Sequence, residues 1–128
     1  MKGLRLIDLY AGIGGIRLGF EQALGDSVRF VFSNEIDDQC CITYKENFGA
    51  DPKGDITKIK SVDIPDFDLL LAGFPCQAFS IAGRREGFND LRGTHFFEIA
   101  RIIGDKKPKA FFLENVKHFV KHNKGRTF

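Results

Sequence analysis

Two short stretches, two acidic residues and a long loop carry side chains whose chemistry needs a partner. Gly73-Phe74-Pro75-Cys76-Gln77 places a cysteine directly after a proline. Proline fixes its own φ and pushes the residue before it to extended backbone, so Cys76 stands on a stiff mount. A thiolate there is a nucleophile; a lone cysteine is equally a small buried hydrophobe. Ala11-Gly12-Ile13-Gly14-Gly15 is a glycine turn, which lets backbone approach a ligand closely. Its spacing is G-x-G-G, with Arg17 where the third glycine of a dinucleotide fingerprint would stand, which disfavours a pyrophosphate site. Glu35 lies 20 residues past Gly15. It suits a ribose diol, or simply the N-terminal charge of the helix that follows. Asp55 offers an acceptor for an adenine amino group, or is a turn aspartate. Gln77 through Arg92 is a long loop holding Arg84 and Arg85, and arginines and an amide beside a nucleophile suit phosphate and base contacts.

The elements that must position these residues read as follows. Leu4–Tyr10 is an apolar strand, followed by the glycine turn and a helix with Ile16, Phe20, Ala23 and Leu24 on one face, ended by Gly25. Val28–Phe32 is a second strand, tipped by Ser33-Asn34-Glu35. The next helix carries Ile36, Cys40, Tyr44 and Phe48 on a stripe and stops at Gly49. Asp55-Ile56-Thr57 reads as a short third strand or its exit. Phe67–Gly73 is a fourth strand, and a helix then runs from about residue 93 to 103, with Phe96, Ile99, Ala100 and Ile103 inward and Gly104 as its stop. Ala110–Leu113 is a fifth strand tipped by Glu114-Asn115, and Val116, Phe119 and Val120 mark a last amphipathic segment. The alternation of strands and helices predicts an α/β fold with a mostly parallel sheet covered on both faces. Tyr10 to Gly15, Glu35, Asp55, Cys76 and Glu114 then fall at strand carboxyl ends and collect along one edge, where open α/β sheets bind ligands.

The totals narrow the class. A chain of 128 residues suits one domain with a real core. Its start lacks the pattern of a signal peptide, and no apolar stretch approaches a membrane span. Cys40, Cys41 and Cys76 are odd in number, with no CxxC pair, which argues for reduced thiols in a cytoplasm and against a zinc or disulfide framework. His118 and His122 are four apart without a Glu or a third ligand between or beside them, so no metal site is expected. Net charge is +2, but residues 1–104 carry 12 Lys/Arg against 15 Asp/Glu and residues 105–128 carry 7 against 2. The basic end fits a polyanion weakly and a solvated tail as well.

Asp8-Leu9-Tyr10-Ala11-Gly12-Ile13-Gly14-Gly15, Gly73-Phe74-Pro75-Cys76-Gln77-Ala78-Phe79-Ser80 and Glu114-Asn115-Val116 occur in this order and at these spacings. With Gly87-Phe88, Arg92-Gly93-Thr94 and Phe96-Phe97, they make the whole chain resemble the N-terminal half of the catalytic domain of a bacterial DNA (cytosine-5) methyltransferase of the restriction–modification type. The resemblance implies a Rossmann-like S-adenosylmethionine-dependent methyltransferase sheet, truncated after the fifth strand, with residues 1–128 holding the cofactor site and catalytic loop and the target-recognition region absent. It implies that Tyr10, Ala11, Gly12, Ile13, Gly14, Gly15, Glu35, Ile36, Asp55, Ile56 and Pro75 line the S-adenosylmethionine site. Tyr10 would stack on adenine, Glu35 would hold the ribose and Asp55 the adenine amino group. The family usually has Phe at position 10 and an apolar residue at position 95, so Tyr10 and His95 are departures.

The implied reaction explains the remaining residue types. Cytosine C5 is a poor nucleophile; addition of the Cys76 thiolate to C6 makes the ring an enamine that takes a methyl group at C5, and loss of the C5 proton expels the thiolate. Glu114 would hydrogen-bond and protonate N3. The target base must leave the stack of duplex DNA, with Gln77, Ser80, Arg84 and Arg92 against the nucleic acid. The family pattern continues well past Glu-Asn-Val. The expectations are therefore methylation only when complemented by the C-terminal half, from a second polypeptide for instance, or cofactor binding without activity, or a half that acts on tRNA cytosine. Location in a prokaryotic cytoplasm is implied with them.

Overall fold

Alternating and continuous apolar residues set the strands, and the glycines set where they turn. The computed structural model describes residues 3–74 and 94–115. Strand β1 (Leu4–Leu9) leads through the glycine turn into helix α1 (Gly15–Leu24), then β2 (Val28–Asn34), α2 (Asp38–Phe48), two short 3-10 turns (Ile56–Lys58 and Ser61–Asp63), β3 (Leu69–Gly73), α3 (Thr94–Lys106) and β4 (Ala110–Glu114). The strands pair in parallel in the order β2-β1-β3-β4. From β1 the chain moves outward to β2 on one side, and from β3 outward to β4 on the other. The carboxyl ends of β1 and β3 therefore bound a topological switch point, the crevice where such sheets take ligands.

Alternation along the strands gives the sheet two different faces. Ile7, Leu9, Leu70 and Ala72 pack with Ile99 and Ile102 of α3 and with Ile56, Ile64 and Phe67 of the turn segment. Leu6, Val28 and Leu71 pack under Ile16 and Phe20 of α1. The register of β1 on β2 slips between Leu6 and Ile7, so Val31 and Phe32 both lie against the α3 side. At the amino ends, Arg5 and Asp68 tie β1 to β3. The Asp68 carboxylate accepts from Arg5 N at 2.8 Å and from its Nε and Nη2 at 3.2 Å each, and Asp68 N donates to Arg5 O at 2.8 Å. Helix α3 is bolted to the turn segment by Arg101, which donates to Ser61 Oγ at 2.9 Å and Ile56 O at 3.2 Å, and by Lys106, which donates to Ile64 O at 2.7 Å.

Three expectations about elements need correction. Residues 55–57 are not a strand: the Asp55 carboxylate accepts from Thr57 N (3.0 Å) and Oγ1 (2.7 Å), closing a 3-10 turn, and only an isolated bridge, Glu35 with Lys53, joins this stretch to the sheet. The described sheet thus has four strands, and the Ala110 strand is its fourth. Gly104 does not end α3; the helix runs to Lys106 and breaks at Lys107, whose φ is +50° and which precedes Pro108, a residue that disfavours helical backbone before it. The buried stripe of α2 is Cys41 and Tyr44, while Cys40 is half-buried and Ile36 lies outside the helix, 58% exposed. Asp37 caps the helix, its carboxylate accepting from Cys40 N at 2.9 Å, and that starting point sets which face turns inward. Gly25 and Gly49 end their helices as expected, both at positive φ.

Candidate functional site

The site is built from the ends of β1 and β2 upward. After Leu9 the backbone turns through Tyr10 at φ +51°, a left-handed conformation that is uncommon for a residue with a side chain. Ala11 N then donates to Asn34 O at 3.0 Å, which joins the turn to the tip of β2, and Gly14 N closes onto Ala11 O at 2.9 Å. Gly14 has φ +96°, and a Cβ there would strike the ring of Phe48 at 2.0 Å, so glycine at this point of the turn is dictated by α2. A Cβ on Gly12 or Gly15 would meet nothing within 4 Å, so the space above the turn is open.

Glu35 organises the edge. Its Oε1 accepts from Gly12 N at 2.8 Å, and its Oε2 accepts from Ile36 N and Asp37 N at 2.9 Å each. A carboxylate has about four acceptor positions. Oε2 is full and Oε1 keeps one for a ligand hydroxyl. Of the two readings of Glu35 offered by the sequence, the service to the start of α2 is visible, and the same carboxylate also ties in the glycine turn through Gly12 N. Glu35 N and O bond Pro52 O and Gly54 N at 2.8 and 3.0 Å, which brings Asp55 to the same edge without a strand. The Asp55 carboxyl is held below its usual range, first by Thr57, with smaller help from Lys58 and His95. Its Oδ1 serves Thr57, and Oδ2 accepts no hydrogen bond among the described residues.

Tyr10 places an aromatic ring beside the glycine turn. Its hydroxyl lies 2.9 Å from His95 Nδ1 and donates to His95 O at 3.2 Å, with the two rings edge to face at 5.1 Å. Burial raises the phenol well above its ordinary pKa, so it stays protonated. Ile13 and Ile36 are exposed at the edge, whereas the Ile56 side chain is in the core, leaving its backbone as the part near the site. At the end of β4, Glu114 Oε1 would lie 3.2 Å from a Cβ on Gly73, so Gly73 makes room for that carboxylate. Asn115 Nδ2 donates to Phe74 O at 3.1 Å, bracing the backbone directly before Pro75. Pro75, Cys76, Gln77, Ser80, Arg84 and Arg92, and likewise His118 and His122, lie outside the described residues. The structure thus brings together Tyr10 to Gly15, Glu35 and Asp55, with Glu114 at the neighbouring strand end.

Sequence reasoning missed a polar chain beneath this edge. Asp8, 1% exposed and next to the last residue of β1, accepts from Tyr44 Oη at 2.9 Å. Arg17 donates to Tyr44 Oη at 3.1 Å and to Glu21 at 3.0 Å, and its guanidinium lies over the rings of Phe30 and Phe48, 4.5 Å from each centroid. The available signal was an aspartate inside an apolar run. Arg17, read only as a missing glycine, reaches that run through Tyr44.

A parallel sheet with a glycine turn and an acidic strand tip beside its switch point defines a Rossmann-like domain, and the solved structures on which it superposes include methyltransferases. The S. pombe Dnmt2 methyltransferase superposes with a TM-score of 0.75 at 25% identity, covering 97% of this chain and 39% of that one. The Entamoeba histolytica methyltransferase EhMeth superposes at 0.81 over 97% of this chain and 41% of that one; at 22% identity it speaks for the fold alone. The chain belongs to the C-5 cytosine-specific DNA methylase family, whose sequence pattern matches residues 4–128. It is similar to the type II methyltransferase M1.ScrFI of Lactococcus lactis subsp. cremoris (64% identical over 124 residues, 97% of this chain and 31% of that protein). It is also similar to M.HhaI of Haemophilus parahaemolyticus (54% over 127 residues, 99% and 38%). The chain spans about a third of the length of these relatives.

Proposed function

We propose that this chain supplies the cofactor site and the catalytic loop of a DNA cytosine-5 methyltransferase, with S-adenosylmethionine as methyl donor, in the cytoplasm of a prokaryote. The observation that carries the reading is the convergence of Gly12, Glu35, Tyr10 and Asp55 at the switch point. The donor set fits the cofactor. A ribose hydroxyl finds the remaining acceptor of Glu35 Oε1, the adenine amino group finds Asp55 Oδ2, the ring finds Tyr10, and the open space over Gly12 and Gly15 takes the methionine end. When bound, the cofactor supplies an electrophilic methyl group on its sulfonium.

The protein's own residues do the rest. Cys76, as thiolate, adds to C6 of a flipped cytosine and is expelled when the C5 proton leaves. Glu114 donates a proton to N3 as charge builds on the ring. Gln77, Ser80, Arg84 and Arg92 contact DNA. Turnover requires the two-thirds of the relatives' length that this chain does not span, supplied in the same or a second polypeptide. An apolar cleft of about 370 Å³ between α1 (Gly15, Ile16, Phe20, Leu24) and Phe112 of β4 supports this, because among the described residues it is an unfilled face beside the last strand of the sheet.

Calorimetric titration with S-adenosylmethionine tests the cofactor site. Asp55→Asn keeps an acceptor for Thr57 but turns a donor toward the adenine amino group. Losing a charge-assisted hydrogen bond and gaining a donor–donor clash should weaken binding roughly 10-fold or more. Equal affinity for both chains rejects the site. Adduct formation with 5-fluorocytosine DNA in the presence of the complementary half, absent in Cys76→Ala, tests the chemistry; an adduct with tRNA alone would redirect the substrate.

A further inference from the structure

Tyr10 and His95 are 85 residues apart and meet at 2.9 Å. The contact has two points, because Tyr10 Oη also reaches His95 O at 3.2 Å. Both are satisfied together when the imidazole carries its proton on Nδ1: the phenol donates to the carbonyl, and Nδ1–H donates to the phenol oxygen. That arrangement is the same for neutral and protonated imidazole. One side of the contact is a residue in left-handed backbone, which needs its surroundings to hold it. The other side is in the first turn of α3, anchored by Ile99 and Ile102, which are 1% and 0% exposed. Glu98 and Arg101 of α3, Asp55 beside the turn segment and Glu35 just past β2 are the charged groups that face the phenol, and Asp55 also feels His95.

We propose that His95 is a positioning residue for the cofactor, holding the Tyr10 ring at a fixed angle so that one face is presented to adenine, and tying the glycine turn to the first turn of α3. This inference rests on the proposed cofactor site. A phenylalanine at position 10 in such a pocket depends on packing alone for its angle; here two hydrogen bonds set it.

A double-mutant cycle read by S-adenosylmethionine titration of the 128-residue chain tests it. Tyr10→Phe and His95→Leu should each weaken binding about five-fold, and the double variant about five-fold again relative to the unmodified chain, not by the product of the two, since either change alone removes the contact. His95→Asn, whose amide can occupy the place of Nδ1, should bind within about two-fold of the unmodified chain. Melting curves identify any variant that has lost its fold, and His95→Asn, the mildest change, then carries the comparison with the unmodified chain. Single variants that bind as tightly as the original, effects that multiply, or a His95→Asn chain as weak as His95→Leu would each overturn the inference while the cofactor site stands. Absence of binding by the unmodified chain would overturn the site and this inference together.

Discussion

The two faces of the sheet are made by alternate residues of the same strands, yet they are built on different principles. On one, Ile7, Leu9, Leu70 and Ala72 meet an apolar helix, α3, with ten buried residues in a single cluster. On the other, Leu6 and Leu71 flank Asp8, whose carboxylate is served by Tyr44 and, through it, by Arg17 and Glu21. Helix α1 on that side has no fully buried residue, and Phe112 beside it is 45% exposed. The α3 face supplies most of the apolar burial that holds the fold. The α1–α2 face places a polar chain directly beneath the glycine turn and Glu35, and among the described residues it leaves an apolar cleft open. Stability and site construction are thus divided between the faces.

The sharpest way to break this comparison is to cut one side chain from each face. Ile102→Ala removes a fully buried side chain from the α3 face and should cost about 2–5 kcal/mol. Phe112→Ser, on the half-open face, should cost about 1 kcal/mol or less, because much of the ring is already in water. Urea midpoints at unchanged slope report both. Equal losses would mean that the α1–β4 cleft is as much a part of the core as the α3 face.

Next in size is the polar chain. Burial pushes the Asp8 carboxyl up to about 7, against the opposing pull of the Tyr44 hydrogen bond and Arg17, and its Oδ1 has no hydrogen-bond partner among the described residues. A carboxyl whose folded pKa is raised binds its proton more tightly in the folded state. Its contribution is therefore complete below about pH 4 and is lost as pH rises through 7. Asp8→Asn should flatten stability between pH 4 and 7, measured as melting temperature against pH. Tyr44→Phe should cost about 1–3 kcal/mol at pH 7, where it strips a donor from a buried acceptor. A profile that keeps its slope in Asp8→Asn assigns that slope to another group.

How much of this was legible in the sequence depends on range. Helix ends at Gly25 and Gly49 follow from local backbone freedom, and the sheet follows from apolar runs with the glycine turn between them. The edge where Tyr10, Glu35 and Glu114 collect follows from strand polarity alone. What local pattern could not give was long-range compensation. Asp55 caps its own turn and so withdraws residues 55–57 from the sheet, yet the Glu35–Lys53 bridge still delivers it to the site. Asp8 sits in an apolar run because a tyrosine 36 positions later donates to it, and an arginine that looks like a failed glycine donates in turn to that tyrosine. The Tyr10–His95 contact joins residues that were oddities separately and make sense only as a pair.

The smallest effect belongs at the other end of the sheet. Asp68 is the counterpart of Asp8: both are strand-end or strand aspartates with a single main partner, but Asp68 meets a guanidinium. The Arg5 side chain and backbone N–H hold its carboxyl down to about 2. A lowered carboxyl pKa contributes stability above its unfolded value and loses it as pH falls from about 4 towards 2, the reverse of Asp8. Arg5 is 38% exposed, so salt should screen the pair. Asp68→Asn should therefore lower the melting temperature slightly at pH 7 in low salt, with a smaller difference in high salt and none near pH 2. The two aspartates then give slopes of opposite sign, Asp68 below pH 4 and Asp8 above it, and the double variant should remove both. A chain lacking only Asp68 that still loses stability between pH 4 and 7 would assign that loss to the α1–α2 face, where burial without a direct cation governs the carboxyl.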